Sequence, residues 1–339
     1  MDESSDPKPL ITAPDVAAIA PETAIEPLAA LTPVRVEDAI VIGGSYAGVS
    51  AALQLARARR NVHVIDAGLR RNRHARHAHG FLGQEGRDPA DLARAAQDEL
   101  RAYPTVTWLD GRVTEARSVA PAESKPGDLP RFEVVLEDGT RLVASFLVLA
   151  TGVSDELPAI PGLAERWGAS VFHCPYCHGY ELERGAIALI AASPLVERMA
   201  QLLPDWGTVT LFPEDIELDA ISRTAIAARG VTIEEARVVA LEGDGPGVDV
   251  RLADGRVLPF AGVFTTPTTR PCGGLAEQLG CALNEGSHGA YVQTNGAGET
   301  SVRGVYACGD NAGPTGSIAT AVGDGARAGV AVHQSLVFR

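Results

Sequence analysis

Basic side chains are scarce in this chain: 29 Lys and Arg stand against 43 Asp and Glu in 339 residues, a net charge of −14. Nucleic acid is therefore not expected as a partner, because binding by counterion release needs a basic face. Long apolar runs are also missing. None approaches the roughly 20 residues of a membrane span, and the acidic opening MDESSDPKPL lacks the basic start of a signal peptide. The expectation is a cytoplasmic protein with no membrane partner. Cysteine is sparse, with five in all. That number is odd, and the chain is too long to need staples, so a disulfide framework is not expected. Any closely spaced cysteine pair reads instead as redox chemistry or metal. What is abundant is apolar side chain, 45% of residues, which excludes disorder of the whole and suits two domains with sizeable cores. Glycine is common too, at 36 residues, as tight turns require.

Residues 1–35 differ from the rest, with six prolines among alanines and acids; they read as an N-terminal arm, the alternative being a docking segment. Order is expected from Val36. The run Asp38–Ile42 has the apolar character of a buried parallel strand. A glycine-rich turn follows it, then a breaker-free helical stretch from Val49 to Arg60 and a second strand, 61–66, ending in an acid. This is a βαβ unit. A helix is expected over 91–101, and strands over 131–136 and 141–149 joined through Asp138-Gly139. Proline-marked crossings occur at 157–162 and 265–271, and between them 186–191, 195–203 and 208–212 read as the start of a second βαβ unit. The segment after Pro271 is too short for a comfortable third domain and is expected to return to the first.

Three motifs carry chemistry. The turn Gly43-Gly44-Ser45-Tyr46-Ala47-Gly48 matches the dinucleotide fingerprint G-x-G-x-x-G, with Ser45 in place of the middle glycine. Such a turn aims backbone N–H groups and a helix N-terminus at a pyrophosphate. Asp66 ends the next strand at about the 20-residue spacing of a ribose-binding acid. The second motif is His173-Cys174-Pro175-Tyr176-Cys177-His178-Gly179. A C-x-x-C pair can hold zinc, but zinc needs further ligands at matching spacing and the remaining cysteines are scattered singly, so no metal is expected. A redox dithiol fits better, with a neighbouring imidazole to hold or remove a thiol proton. The third motif is a strand ending in Ala307-Cys308-Gly309-Asp310, followed by a helix of small residues over 317–335.

Taken together, the GGSYAG turn, Ala150-Thr151-Gly152, the C-x-x-C pair and the final Ala-x-Gly-Asp occur in the order and spacing of one family. Residues 36–339 resemble the low-molecular-weight thioredoxin reductases, which are FAD-dependent disulfide oxidoreductases, and HCPYCHGYE resembles their dithiol oxidase branch acting on gliotoxin, holomycin and romidepsin. The resemblance implies an α/β fold of two Rossmann-like three-layer domains. The FAD domain is split between 36–157 and 270–339, with a degenerate NADPH-like domain, 158–269, inserted and carrying the C-x-x-C; the assembly is a homodimer. It also implies site residues. Gly43, Ser45, Ala47, Gly48, Asp66, Thr151, Gly152, Gly309, Asp310, Ile318 and Ala319 hold FAD. Cys177 lies against the flavin, Cys174 exchanges with substrate, and His178, in the place of the wider family's acid, is the candidate base. In the stretch Arg70 to Gly80, His79 is expected to line the flavin site, while His74 and His77 read as solvated; Cys272, Cys281 and Cys308 read as packed thiols.

One departure from the family is expected to matter. The NADPH turn Gly-x-Gly-x-x-Ala is here Ala191-Ala192-Ser193-Pro194-Leu195-Val196, and the acids Glu214-Asp215 stand where a 2′-phosphate would need bases. NADPH is therefore doubtful as a cofactor. The leading expectation is oxidation of a dithiol: a substrate thiolate attacks Cys174, the product disulfide closes, electrons pass through Cys177 to FAD, and O2 is the final acceptor. His178 is expected to take thiol protons near its ordinary pKa of about 6.5. Two alternatives stay open: a reductase passing electrons to a thioredoxin-like protein, and a redox-idle scaffold. A small-molecule dithiol and a thioredoxin-like protein are both admissible partners.

Overall fold

The computed structural model describes residues 36–119, 129–245, 247–313 and 316–338. The arm expected over 1–35 and most of the loop expected over 121–130 lie outside the described residues.

Strand β1 (Val36–Ile42) forms the centre of the first sheet. Ala39, Ile40 and Val41 have no exposed surface, because a central parallel strand is covered on both faces. Strand β2 (Val62–Asp66) and the strand Arg141–Leu149 flank it in parallel, with Ile42 opposite both Ile65 and Leu149. Val106–Asp110 extends the sheet beyond β2. The long strand Arg141–Leu149 divides its outer edge. Its first half pairs antiparallel with Phe132–Leu136, and its last three residues pair in parallel with Val305–Ala307. The residues following β1, Leu149 and Ala307 therefore emerge together at the carboxyl edge, where open α/β sheets bind ligands.

Helix α1 (Tyr46–Arg57) begins three residues before the expected Val49, because the chain enters it directly from Ser45 at the N-cap. Its buried face combines small residues, among them Ala47, Ala51 and Ala52, with Val49 and Leu55. The C-terminal helix, Ile318–Val337, lies against it, with Ser50 Oγ donating to Val322 O at 2.7 Å. Helix α2 (Pro89–Arg101) starts on Asp88, whose carboxylate accepts the Ala90 and Asp91 N–H groups, with Pro89 in the first turn. It braces the glycine turn: Gln97 Nε2 donates to Gly44 O at 2.9 Å, and Tyr46 Oη donates to Pro89 O at 2.9 Å.

The second sheet is wholly parallel, in the order Thr232–Ile233, Thr208–Phe212, Ala186–Ile190, Gly262–Thr265, Val171–Phe172. One face buries Leu189, Leu203, Leu211 and Phe264. The other meets an antiparallel sheet of Val238–Glu242, Val248–Leu252 and Val257–Phe260. The chain passes between the mixed first sheet and the parallel second one along Val153–Glu156 and back along Thr268–Pro271, which pair antiparallel. Helix α3 (Pro175–His178) follows closely on the edge strand Val171–Phe172, so the redox motif stands at the carboxyl edge of the second sheet.

Candidate active site

The glycine turn is tight for a steric reason. A Cβ at Gly43 (φ +110°) would lie 2.2 Å from Ala150 O, and one at Gly48 would lie 1.8 Å from Gly43 O. Ser45, by contrast, is extended (φ −92°), a conformation open to any side chain, which explains why serine serves at the fingerprint's middle position. No side chain caps α1. Its N-terminus opens onto a cleft lined by Ser45, Tyr46 and Ala47, by Thr151 and Gly152, and by Gly309, Asp310 and Ile318. An uncapped twelve-residue helix facing a cleft at the sheet's carboxyl edge suits a pyrophosphate. The acid that ends β2, Asp66, lies just outside this lining and accepts the Gly44 N–H at 3.2 Å. Ala319 is exposed and outside the cleft, because one helical step turns it away from the side that Ile318 faces.

The opposite wall comes from the second sheet. Trp167, Phe172, His173, Cys177 and His178 line the same cleft. Cys174 and Cys177 form a disulfide with a Cα–Cα distance of 5.3 Å, within the range such bridges need. Cys174 is outside the lining and Cys177 inside it, so the two sulfur-bearing residues are not equivalent. His178 stacks on Phe172, with ring centroids 4.4 Å apart. Burial, with a smaller contribution from the charge of His79, pushes its pKa down from 6.5 to about 4. This corrects the expectation of an unperturbed imidazole: at neutral pH the ring is held neutral by desolvation, with a free acceptor nitrogen. His173 stacks on Trp167 at 5.7 Å, and burial, then the charge of Arg71, push it to about 3.

Sequence reasoning missed an ionic cluster in the cleft. Arg71 donates to Asp155 through Nε (3.0 Å) and Nη2 (2.5 Å), and to Asp310 through Nη1 (2.9 Å). Burial alone would lower the Arg71 pKa, but the hydrogen bonds and charges of the two carboxylates outweigh it and raise it. The four-arginine stretch was the available signal for Arg71; nothing local points to Asp155. His74 and His77, read as solvated, are exposed yet line the cleft, and His77 Nδ1 lies 3.1 Å from Gly86 O. His79 lines it too, but its ring is committed elsewhere, with Nδ1 2.7 Å from Glu85 and Nε2 3.5 Å from Glu181. Cys308 is a packed thiol, pushed up to about 12 by burial; Cys281 is also buried. Among the described residues no His, Cys, Asp and Glu cluster suits a metal ion.

The second glycine-like turn is closed from within. Ala192 N and Ser193 N donate to Thr266 Oγ1 at 3.3 and 3.1 Å, so the N–H groups that would face a second pyrophosphate are engaged. Glu214 and Asp215 are turned onto Arg237, at 3.5 and 3.1 Å.

Two α/β units, each with a parallel sheet core, and a C-x-x-C disulfide entering the cleft of the first define a flavoprotein disulfide oxidoreductase of the thioredoxin reductase type. The chain belongs to the pyridine nucleotide-disulphide oxidoreductase family, whose sequence profile matches residues 37–325. It is similar to thioredoxin reductase tcpT of Claviceps purpurea (strain 20.1), 32% identical over 306 residues, 87% of this chain and 92% of that one. The crystal structure of the oxidoreductase from Agrobacterium tumefaciens is 50% identical, with a TM-score of 0.83 over 90% of this chain and 99% of its own. That of HlmI is 37% identical, with a TM-score of 0.83 over 89% and 93%. The protein is an FAD-dependent thiol-disulfide oxidoreductase, and the uncapped helix, open Gly152 and cleft at the carboxyl edge fit that cofactor.

Proposed function

We propose that the protein oxidises a dithiol to a disulfide, with O2 as the final acceptor and without NADPH. The observation that carries this reading is Thr266. Its hydroxyl occupies the two N–H groups that a nicotinamide nucleotide would need, whereas the flavin-side turn remains uncapped. Residues 36–157 and 270–339 then hold FAD, through Gly43, Ser45, Ala47, Gly48, Asp66, Thr151, Gly152, Gly309, Asp310, Ile318 and the Ala319 backbone. Residues 158–269 supply the disulfide, and the working unit is a homodimer.

A substrate thiolate attacks Cys174 Sγ, and Cys177 leaves as the thiolate. The second substrate thiol, losing its proton to His178, attacks the substrate sulfur in the mixed disulfide and displaces Cys174. A neutral imidazole is the right form for this acceptance, and its low pKa makes it give the proton up readily. FAD, when bound, takes the two electrons from the dithiol pair and passes them to O2.

The test is anaerobic titration of the yellow holoprotein. Dithiothreitol should bleach the flavin band, NADPH should not, and air should restore it with stoichiometric peroxide. Cys177→Ser should abolish bleaching by dithiol, and Cys174→Ser should leave substrate no sulfur to attack. Rapid, saturable bleaching by NADPH would favour a reductase acting on a thioredoxin-like protein.

A further inference from the structure

A base that sits against an aromatic ring inside a cleft has to discharge its proton. The reaction R(SH)2 + O2 → R(S–S) + H2O2 conserves protons overall, but not step by step. The thiol protons leave as the substrate S–S bond forms and the Cys174–Cys177 bond breaks. The peroxide protons are taken up only later, when O2 accepts the two electrons. Between these events protons must travel between His178 and water.

The flavin-side cleft is not the only one that His178 reaches. It also lines a second cleft, with Phe172, His77, His79, Glu181 and Glu183. His79 is the one imidazole there held at both nitrogens by carboxylates: Glu85 Oε1 lies 2.7 Å from Nδ1 and Glu181 Oε1 lies 3.5 Å from Nε2. Gly80 N donates to the other Glu85 oxygen at 2.9 Å, which fixes the carboxylate toward the ring. The His79 side chain is 17% exposed, while those of Glu85 and Glu181 are 66% and 44% exposed. The arrangement runs from two half-buried imidazoles to two wet carboxylates. After burial, the charge of His79 is the second cause that lowers the His178 pKa.

We propose that His79, with Glu85 and Glu181, is the proton relay between His178 and solvent. This rests on the reading of His178 as the base. It gives His79 work that lining a flavin would not require, and it explains why the loop carrying His79 is tied to Glu181, seven residues after Cys174. The transfer needs no new oxidant or reductant. His178 hands a proton to His79 through water in the shared cleft, His79 returns to its starting form by losing one to Glu85 or Glu181, and that exposed carboxylate releases it to bulk water.

The experiment is anaerobic reduction of the holoprotein by dithiothreitol at neutral pH, with proton release followed by an indicator dye and flavin bleaching followed in parallel. In weak buffer, His79→Gln is expected to slow both about tenfold, less than the roughly 10²–10⁴-fold of losing a direct base, because water remains a poor substitute. Added imidazole should restore the rate to near that of the unaltered protein. Glu85→Gln, at an exposed position, should show a smaller, likewise rescuable loss. An unchanged His79→Gln rate in weak buffer overturns the relay, and so does a slow rate that imidazole does not restore, since a purely structural histidine would behave that way. His178→Ala separates the two claims. If it is slow while His79→Gln is normal, the relay alone falls; if His178→Ala is itself normal, the base falls and the relay with it.

Discussion

His173 and His178 bracket the redox pair, and each is neutral in the folded protein because its ring is buried against an aromatic. The unfolded chain titrates them near 6.5, the folded one at about 3 and about 4. The folded values are the lower ones, so between these limits the unfolded state binds more protons and stability falls with falling pH. Above about 6.5 nothing is lost; below it each ring withdraws up to about 1.4 kcal/mol per pH unit until its folded pKa is reached. The urea midpoint is therefore expected to drop between neutrality and about pH 5, and the drop is expected to shrink in His173→Gln and His178→Gln. An equal drop in all three proteins would assign the loss to carboxylates. At this scale the site was partly legible. Turn, cysteine pair and final acid are each contiguous in the chain, and their residue types announce the chemistry. The Arg71 cluster was not legible, because its partners lie 84 and 239 positions away and no local spacing links them. The His178 shift was hidden for the same reason: it depends on Phe172 and His79, brought together only by folding.

The elements most readily read were those with one unmistakable pattern. Short apolar runs bounded by turns gave β1, β2 and Arg141–Leu149, and the second βαβ start was found at Ala186–Ile190 and Thr208–Phe212. The antiparallel sheet over Val238–Phe260 was missed although Val248–Leu252 alternates buried and half-buried residues, which is the signature of a strand with one face to the core. The closed turn after Ala186–Ile190 was legible only in its missing glycines; that Thr266 fills their place could not be read, since it lies 73 positions beyond Ser193. Thr266 is 3% exposed, so Thr266→Val would leave the buried Ser193 N–H and the part-buried Ala192 N–H without this acceptor. The expected cost is about 1–3 kcal/mol, seen as a lower urea midpoint with the flavin spectrum unchanged. Gain of flavin reduction by NADPH in that variant would mean that the hydroxyl, and not the turn's shape, is what excludes the nucleotide.

Among the described residues, elements of two separate sheets line one cleft. Val305–Ala307 returns to the first sheet, pairing in parallel with the end of Arg141–Leu149. The two passages between units run side by side, and Glu156 stands opposite Thr268 in their pairing. To a protein engineer this makes residues 157–267 a removable cassette whose two ends already meet. A two-residue Asn-Gly turn joining Glu156 to Thr268 would close them as an ordinary hairpin. The shortened chain is expected to remain yellow, with looser FAD because Trp167, Phe172 and His173 leave the cleft wall, and to be inert toward dithiols. Gel filtration with absorbance at the flavin band decides it. A soluble yellow peak would show that the flavin unit is a self-sufficient part onto which thiol chemistry is grafted; a colourless or aggregated product would show that neither half stands without the other.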